Sequence, residues 1–97
     1  MATYISLVNW TEEGIKNTKE SPQRFEAFKK ALEDSGGKVI GFYMTMGRYD
    51  MVLITEGPSD EYAASLVLST ASKGAIRTET LKAFAEDQYR GIISKLA

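Results

Sequence analysis

Two residue types are missing from this chain, cysteine and histidine. Without cysteine there is no disulfide, no thiol nucleophile and no thiolate to bind a metal ion. Without histidine the chain lacks the usual general base near neutral pH and the commonest metal ligand, so Ser-His-Asp and Cys-His catalysis are impossible within it. Acidic residues at EF-hand spacing or in a tight cluster, as a Mg²⁺ or Ca²⁺ site would use, are also missing. We therefore expect neither a metal site nor a cofactor.

The chain also lacks a marked charge of either sign and a long apolar run. Twelve basic and thirteen acidic residues give a net charge of −1, and no block of basic residues occurs. Nothing therefore favours binding to nucleic acid or to an anionic membrane. No signal peptide and no membrane-spanning run is found, so a cytoplasmic location is expected. A length of 97 residues suits one domain over residues 1–97 with a modest core.

The stretch from Val39 to Glu56 predicts a β-hairpin with its turn at Gly47-Arg48. Apolar, aromatic and β-branched runs flank a glycine that can adopt the positive φ of a type II′ turn. Any loop of two or four residues gives one register, in which Thr45 lies opposite Asp50 and Gly41 opposite Ile54. This register places Ile40, Phe42, Met44, Met46, Tyr49, Met51 and Leu53 on one face, and Val39, Gly41, Tyr43, Thr45, Asp50, Val52 and Ile54 on the other. Both faces are substantially apolar, so we expect both to be covered.

Periodicity and helix-start residues predict the other elements. The order β-α-β-β-α-β with an extra C-terminal helix indicates an α+β, ferredoxin-like domain. We expect an antiparallel sheet of strand order 4-1-3-2 with the two main helices on one face. The expected elements are a strand at Thr3–Trp10, a short helix capped by Thr11, a helix capped by Ser21 and ended by Gly36-Gly37, a helix capped by Ser59 and closed by Gly74, a strand at Ala75–Leu81 and a last helix at residues 85–96.

The second face of this sheet predicts self-association. Within the chain only the C-terminal helix is available to cover that face, which carries Tyr43, Val52 and Ile54. A partly apolar sheet face of this kind is commonly covered by a second copy. We therefore expect a homodimer with the two sheets face to face, a dimeric α/β barrel, and an assembly of several such dimers stays open.

Three segments of the sequence resemble the GYD domain family of small bacterial proteins. They are Gly47-Arg48-Tyr49-Asp50 at the hairpin turn, Trp10-Thr11 with Gly14-Ile15 after the first strand, and residues 77–81 with Ala83-Phe84 at the fourth strand. The resemblance covers essentially the whole chain and implies a dimeric α/β barrel with no established activity. Proteins related in fold include cofactor-free monooxygenases, small isomerases and the ligand-sensing domains of transcription regulators.

Six residues are candidates for binding a ligand, and no catalytic residue is identified. The candidates are Trp10, Tyr43, Thr45, Tyr49, Asp50 and Arg77. We expect the ligand beside the hairpin, on the face carrying Tyr43, Thr45 and Asp50, with Trp10 as a wall, because apolar surface there meets a few polar groups. The competing location is between the sheet and the helices, where Tyr49 would be the polar group.

Each candidate also has a structural interpretation. Asp50 near a turn commonly accepts hydrogen bonds from local backbone or from Thr45, and Tyr49 would then pack on Met46. Trp10 would pack at the dimer rim, while Arg77 and Glu79 would form ion pairs across strands or across the dimer. The four methionines are expected to fill the core. Five basic residues are expected to form a solvated helix face: Lys16, Lys19, Arg24, Lys29 and Lys30.

Two functions remain open at the level of sequence. The first is a binding or sensing module that holds a small, mostly apolar ligand. The alternative is a cofactor-free monooxygenase or isomerase acting on a small enolisable or aromatic substrate, which needs only a positioned base. A closed cleft containing a carboxylate of raised pKa would favour the enzyme, and a cleft without one would favour binding.

Overall fold

The computed structural model describes all of residues 1–97 and contains a four-stranded antiparallel sheet. The strand order is β2-β3-β1-β4, so the predicted ferredoxin-like α+β topology is confirmed. No helix is both long enough and apolar enough to cross a bilayer. The elements are β1 Ala2–Trp10, α1 Glu12–Lys16, a 3₁₀ turn at Thr18–Glu20, α2 Ser21–Asp34, β2 Lys38–Met44, β3 Met51–Gly57, α3 Asp60–Ala71, β4 Ile76–Ala83 and α4 Glu86–Ser94.

Strict alternation along β1 and β3 separates a helix-facing side of the sheet from an uncovered side. Tyr4, Ser6 and Val8 on β1 are buried beneath α2 and α3, and they pair with β3 so that Met51 and Leu53 lie beside them. Side chains at the intervening positions point the other way and are only half-buried. The uncovered face, as we call it here, carries Ile5, Leu7, Tyr43, Val52, Ile54, Arg77, Glu79 and Leu81.

Two of the three predicted helix caps are confirmed. Thr11 accepts a hydrogen bond from the Gly14 N–H at 3.1 Å, and Ser59 accepts one from the Tyr62 N–H at 3.1 Å. The prediction that Ser21 caps α2 is wrong, because the 3₁₀ turn runs directly into the helix and makes Ser21 its first residue.

The hairpin keeps the predicted register but has a longer loop. Gly41 lies opposite Ile54, and the strands end at Met44 and Met51, so six residues rather than two or four form the connection. An even number of added residues preserves which side chains share a face. The Thr45 N–H still donates to the Asp50 carbonyl at 2.8 Å. Gly47 has a φ of 126°, a conformation that favours glycine.

A β-bulge in β2 corrects one predicted position. The register shifts between Val39 and Gly41, so Ile40 is an extra residue and Val39 pairs with Thr55. Val39 therefore lies on the helix-facing side, and its predicted place on the same face as Gly41 and Tyr43 is wrong. An extra residue reverses the alternation for everything before it.

Helix α4 stands apart from the rest of the fold. Its apolar side chains Tyr89, Ile92 and Ile93 are exposed, as is Leu96 just beyond its end, and no residue of this helix is buried. The C-terminal helix, the one element of the chain that was available to cover the second face of the sheet, therefore does not pack on it. Both α4 and the uncovered face remain accessible to a partner.

Candidate functional site

A cavity of about 240 Å³ lies between the sheet and helices α2 and α3. Sequence analysis gave this space as the competing location for the ligand, after the face beside the hairpin. Its walls are predominantly apolar, as in most small-molecule sites. The main apolar side chains are those of Val8, Trp10, Phe25, Phe28, Phe42, Met51, Leu53, Leu66, Val67 and Ile76.

Small side chains on the sheet explain why this space is not filled. Ser6 and Thr78 occupy helix-facing positions where larger residues would reach α2, and the Ser6 hydroxyl lies 3.1 Å from the Thr80 hydroxyl. On α2, Ala27 and Ala31 also line the cavity. The Phe25 and Phe42 rings stack with centroids 4.2 Å apart. Since close packing normally leaves few voids of this size, the arrangement makes room for a ligand.

Two nitrogen atoms of cavity-lining residues are buried and have no hydrogen-bond partner, Trp10 Nε1 and Arg24 Nη2. The other terminal nitrogen of Arg24 donates to the Asn17 carbonyl at 3.3 Å. The predicted solvated role of Arg24 is therefore wrong, because its guanidinium is folded towards the protein. Lys73 also lines the cavity, whereas no aspartate or glutamate does.

Asp50 links the hairpin to the end of β1. Its Oδ2 accepts a hydrogen bond from the Trp10 main-chain N–H at 3.0 Å, and its own N–H donates to the Val8 carbonyl at 2.9 Å. A backbone donor was expected for this carboxylate, but the donor lies on a neighbouring strand rather than in the turn. The Thr45 hydroxyl donates to the Tyr49 carbonyl at 2.7 Å and closes the loop. The carboxylate thereby holds the backbone of a cavity wall.

Tyr49 lies away from both the cavity and Asp50. Its hydroxyl donates to Glu79 Oε1 at 3.0 Å, and this hydrogen bond raises the pKa of the Tyr49 phenol. Glu79 belongs to the uncovered face, because it pairs with Leu7. The expectation that Tyr49 is the polar group between sheet and helices is therefore wrong.

The remaining candidates lie on the uncovered face. Tyr43 is 61% exposed and sits opposite Val52. Arg77 is exposed and forms no ion pair within the chain, since Glu79 accepts the Tyr49 hydroxyl instead. The prediction of one site walled by both Tyr43 and Trp10 is wrong, because alternation sends these side chains to opposite sides of the sheet.

Sequence similarity places this chain in a known family of small proteins. The GYD domain family matches residues 4–93 of the chain. The chain belongs to the GYD domain family. A glutamine synthetase and cystathionine beta-lyase binding protein from Thermus thermophilus is 33% identical to this GYD domain over 84 residues, which are 86% of this chain and 88% of the relative.

Two crystal structures resemble the GYD domain in fold. TTHA0845 from Thermus thermophilus superposes with a TM-score of 0.52 at 26% identity, covering 87% of this chain and 94% of that one. A hypothetical protein from Pyrococcus horikoshii, PHS023, has a TM-score of 0.54 at 18% identity, covering 89% of this chain and 93% of that one. The second likeness concerns the fold alone.

The family segment that follows β1 has a structural explanation in this GYD domain. The Thr11 N–H donates to the Ala75 carbonyl at 3.0 Å, and the Thr11 hydroxyl donates to the Gly74 carbonyl. A Cβ atom on Gly14 would lie 1.9 Å from the Ala75 oxygen, so only glycine fits. These contacts hold the turn between α3 and β4 beside Trp10, at one end of the cavity.

Sequence reasoning missed two elements of the site. Arg24 was grouped with lysines, although it occupies the first turn of α2 near the cavity. The second element is the set of small residues that line the cavity, including Ser6, Ala31 and Thr78. The positions of these small residues in the sequence could have revealed the cavity, because a face that alternates large and unusually small residues indicates a void.

Proposed function

We propose that this GYD domain is a small-molecule-binding module whose ligand occupies the cavity between the sheet and the two main helices. The observation that carries the proposal is the pairing of an apolar space of about 240 Å³ with the unpartnered Trp10 Nε1 and Arg24 Nη2. Small-molecule sites combine such walls with a few polar groups that orient the ligand. The roles of Tyr43, Thr45, Tyr49, Asp50 and Arg77 as ligand contacts stay predictions.

The composition of the cavity favours binding over catalysis. A cofactor-free enzyme needs a base within hydrogen-bond reach of its substrate. None of the residues that line the cavity is acidic, and Asp50 is already engaged by the Trp10 main chain. The carboxylate of raised pKa that would favour the enzyme does not face this space.

Self-association through the uncovered face is the second part of the proposal. The accessible surface of the chain is 6736 Å², whereas a compact monomer of this mass would expose roughly 5,500 Å². The radius of gyration is 14.6 Å, compared with about 12.5 Å for a compact chain of this length. Extra exposure of this size is comparable to one side of a specific interface. A second copy packed on Tyr43, Val52 and Ile54 would remove much of it.

A protein partner is the second candidate function. The relative from Thermus thermophilus is named as a binding protein for two enzymes. In this GYD domain the exposed apolar side of α4, with Ile92 and Ile93, is a surface that a partner protein would cover. A binding module that carries both a ligand cavity and a protein surface would suit a role in sensing.

The proposal is tested by native mass spectrometry of protein purified from its own host. We expect a retained small molecule in the wild type. Ala31→Met enlarges a side chain of the cavity wall and should reduce retention, because it narrows the space. Ala64→Met is the matched control, since Ala64 is exposed on α3 and does not line the cavity. A bare mass for the wild type, or a ligand that survives Ala31→Met, would contradict this location.

A further inference from the structure

We propose that the ligand of this cavity is a small carboxylate with an apolar, ring-sized body. This inference rests on the proposed function and specifies its ligand class. It depends on the charged and donor-only groups at the cavity, which are all hydrogen-bond donors, whereas the remaining polar lining consists of serine and threonine hydroxyls that can donate or accept.

The first group is the guanidinium of Arg24. An arginine is always charged and has five N–H donors in a planar fork that matches a carboxylate. In this chain it contacts one neutral carbonyl, that of Asn17, and no acidic side chain. A guanidinium with a buried nitrogen normally has a counter-ion, because removing a cation from water is unfavourable. None of the residues around the cavity supplies one.

The second group is the indole N–H of Trp10, which donates and cannot accept. A ligand atom that satisfies both this donor and the guanidinium must be an acceptor. Lys73 adds a second positive charge to the wall, and no acidic residue opposes it. An anionic oxygen therefore suits the cavity better than a neutral carbonyl, because charge-assisted hydrogen bonds are stronger.

Both nitrogens have almost no accessible surface, and a rotation of the Arg24 side chain would turn its guanidinium towards a ligand in the cavity. Such a rotation sacrifices only the contact with the Asn17 carbonyl, which at 3.3 Å is long. The apolar body of the ligand would lie against the rings of Phe25, Phe28 and Phe42. A volume of about 240 Å³ corresponds to roughly eight water molecules, which limits the body to about one ring.

The experiment compares phenylacetate with its neutral isostere phenylacetamide by isothermal titration calorimetry. We expect the wild type to bind phenylacetate at least about tenfold more tightly, since one charge-assisted pair is worth roughly that factor. Arg24→Gln should abolish this preference, whereas Arg24→Lys should retain part of it. Lys30→Gln removes a positive charge from the same helix at an exposed position outside the cavity and should leave the preference unchanged.

Each outcome separates this inference from the proposed function. Equal binding of both probes, lost in Ala31→Met, would overturn the carboxylate and keep the cavity as a ligand site. If neither probe binds at millimolar concentration, the carboxylate ligand class is also overturned. The proposed function is then decided separately, by whether protein purified from its host retains a small molecule. If Arg24→Gln does not fold, Trp10→Phe removes the indole N–H, together with part of the ring, from the site. This variant should lower the affinity for phenylacetate by about threefold or more, and an unchanged affinity would contradict the inference.

Discussion

At the scale of single residues, Asp50 joins the hairpin to the end of β1. Substitutions of Asp50 distinguish a structural role, which affects stability, from a ligand-binding role, which affects affinity. Asp50→Ala leaves the Trp10 main-chain N–H without its acceptor, and we expect a loss of about 1–3 kcal/mol in the free energy of unfolding. Asp50→Asn keeps a side-chain oxygen at the same place and should cost less. Urea denaturation of the three proteins measures both effects. A ligand-binding role for Asp50 predicts the opposite pattern, in which Asp50→Asn loses affinity while its stability is unchanged.

The network of Tyr4, Asp60 and Lys82 makes stability depend on pH at both extremes. Burial, followed by the hydrogen bond to Asp60, raises the pKa of the Tyr4 phenol to about 12. The folded state therefore keeps a proton that the unfolded chain loses from about pH 10, so stability should fall as the pH rises from about 10 to about 12. Hydrogen bonds from Tyr4 and Lys82 lower the pKa of Asp60, so stability should also fall as acid protonates this carboxylate.

Between these limits we expect a flat profile, because the chain contains no histidine to titrate near neutrality. Chemical denaturation from pH 3 to pH 12 measures the profile. Tyr4→Phe is the informative variant, since it removes the phenol and should reduce the alkaline decline. A Tyr4→Phe protein with an unchanged alkaline decline would show that other groups cause it.

At the scale of elements, α4 adds little to the stability of a single chain. Its apolar residues are exposed, and an isolated helix of nine residues is only marginally stable in water. Truncation after Ala85 should therefore change the melting temperature of the monomeric protein by only a few degrees. Thermal denaturation followed by circular dichroism measures this change. A large loss of stability would mean that α4 packs against a partner, in a second copy or in another protein.

Sequence reasoning predicted the order of elements and most of the strand register. It failed where a single extra residue, or the pairing of distant strands, decides which face of the sheet a side chain occupies. The hairpin register followed from turn chemistry and alternation. The bulge at Ile40 did not, because apolar residues fill successive positions there and an extra one leaves no mark on the pattern. The division of Trp10 and Tyr43 between opposite faces depends on how β1 and β3 pair, which no local pattern contains.

The cavity was still less predictable, because a void is a property of several elements together. Each small residue, such as Ser6 on β1 or Ala31 on α2, is unremarkable alone. Arg24 was misassigned because helical periodicity gives the face of a residue but not the path of a long, flexible side chain. The caps at Thr11 and Ser59 were predicted correctly, because each depends on a residue and its neighbour three positions on.

At the scale of the whole molecule, light scattering should report a particle of about twice the chain mass of 10.7 kDa. Tyr43→Glu should shift it to the monomer, because the substitution places a charge on the face that we propose as the interface. Ile15→Glu is the matched control, since Ile15 is 52% exposed and belongs to α1 rather than to the uncovered face of the sheet. A monomeric wild type at micromolar concentration would refute the dimer. Dissociation caused equally by Ile15→Glu would show that the effect is not specific to this face.

The bulge at Ile40 also affects whether further chains can add to the sheet of the proposed dimer at its edge. Strand β2 lies at one margin of the sheet, where unpaired N–H and C=O groups would otherwise invite another chain to add a strand. An extra residue interrupts that row of groups, and only the short segment from Gly41 to Met44 continues regularly beyond it. Strand addition at this margin is therefore poorly supported, while packing through the broad face is not affected. The same irregularity that turns Val39 towards the helices thus makes β2 a poor template for the addition of a further strand.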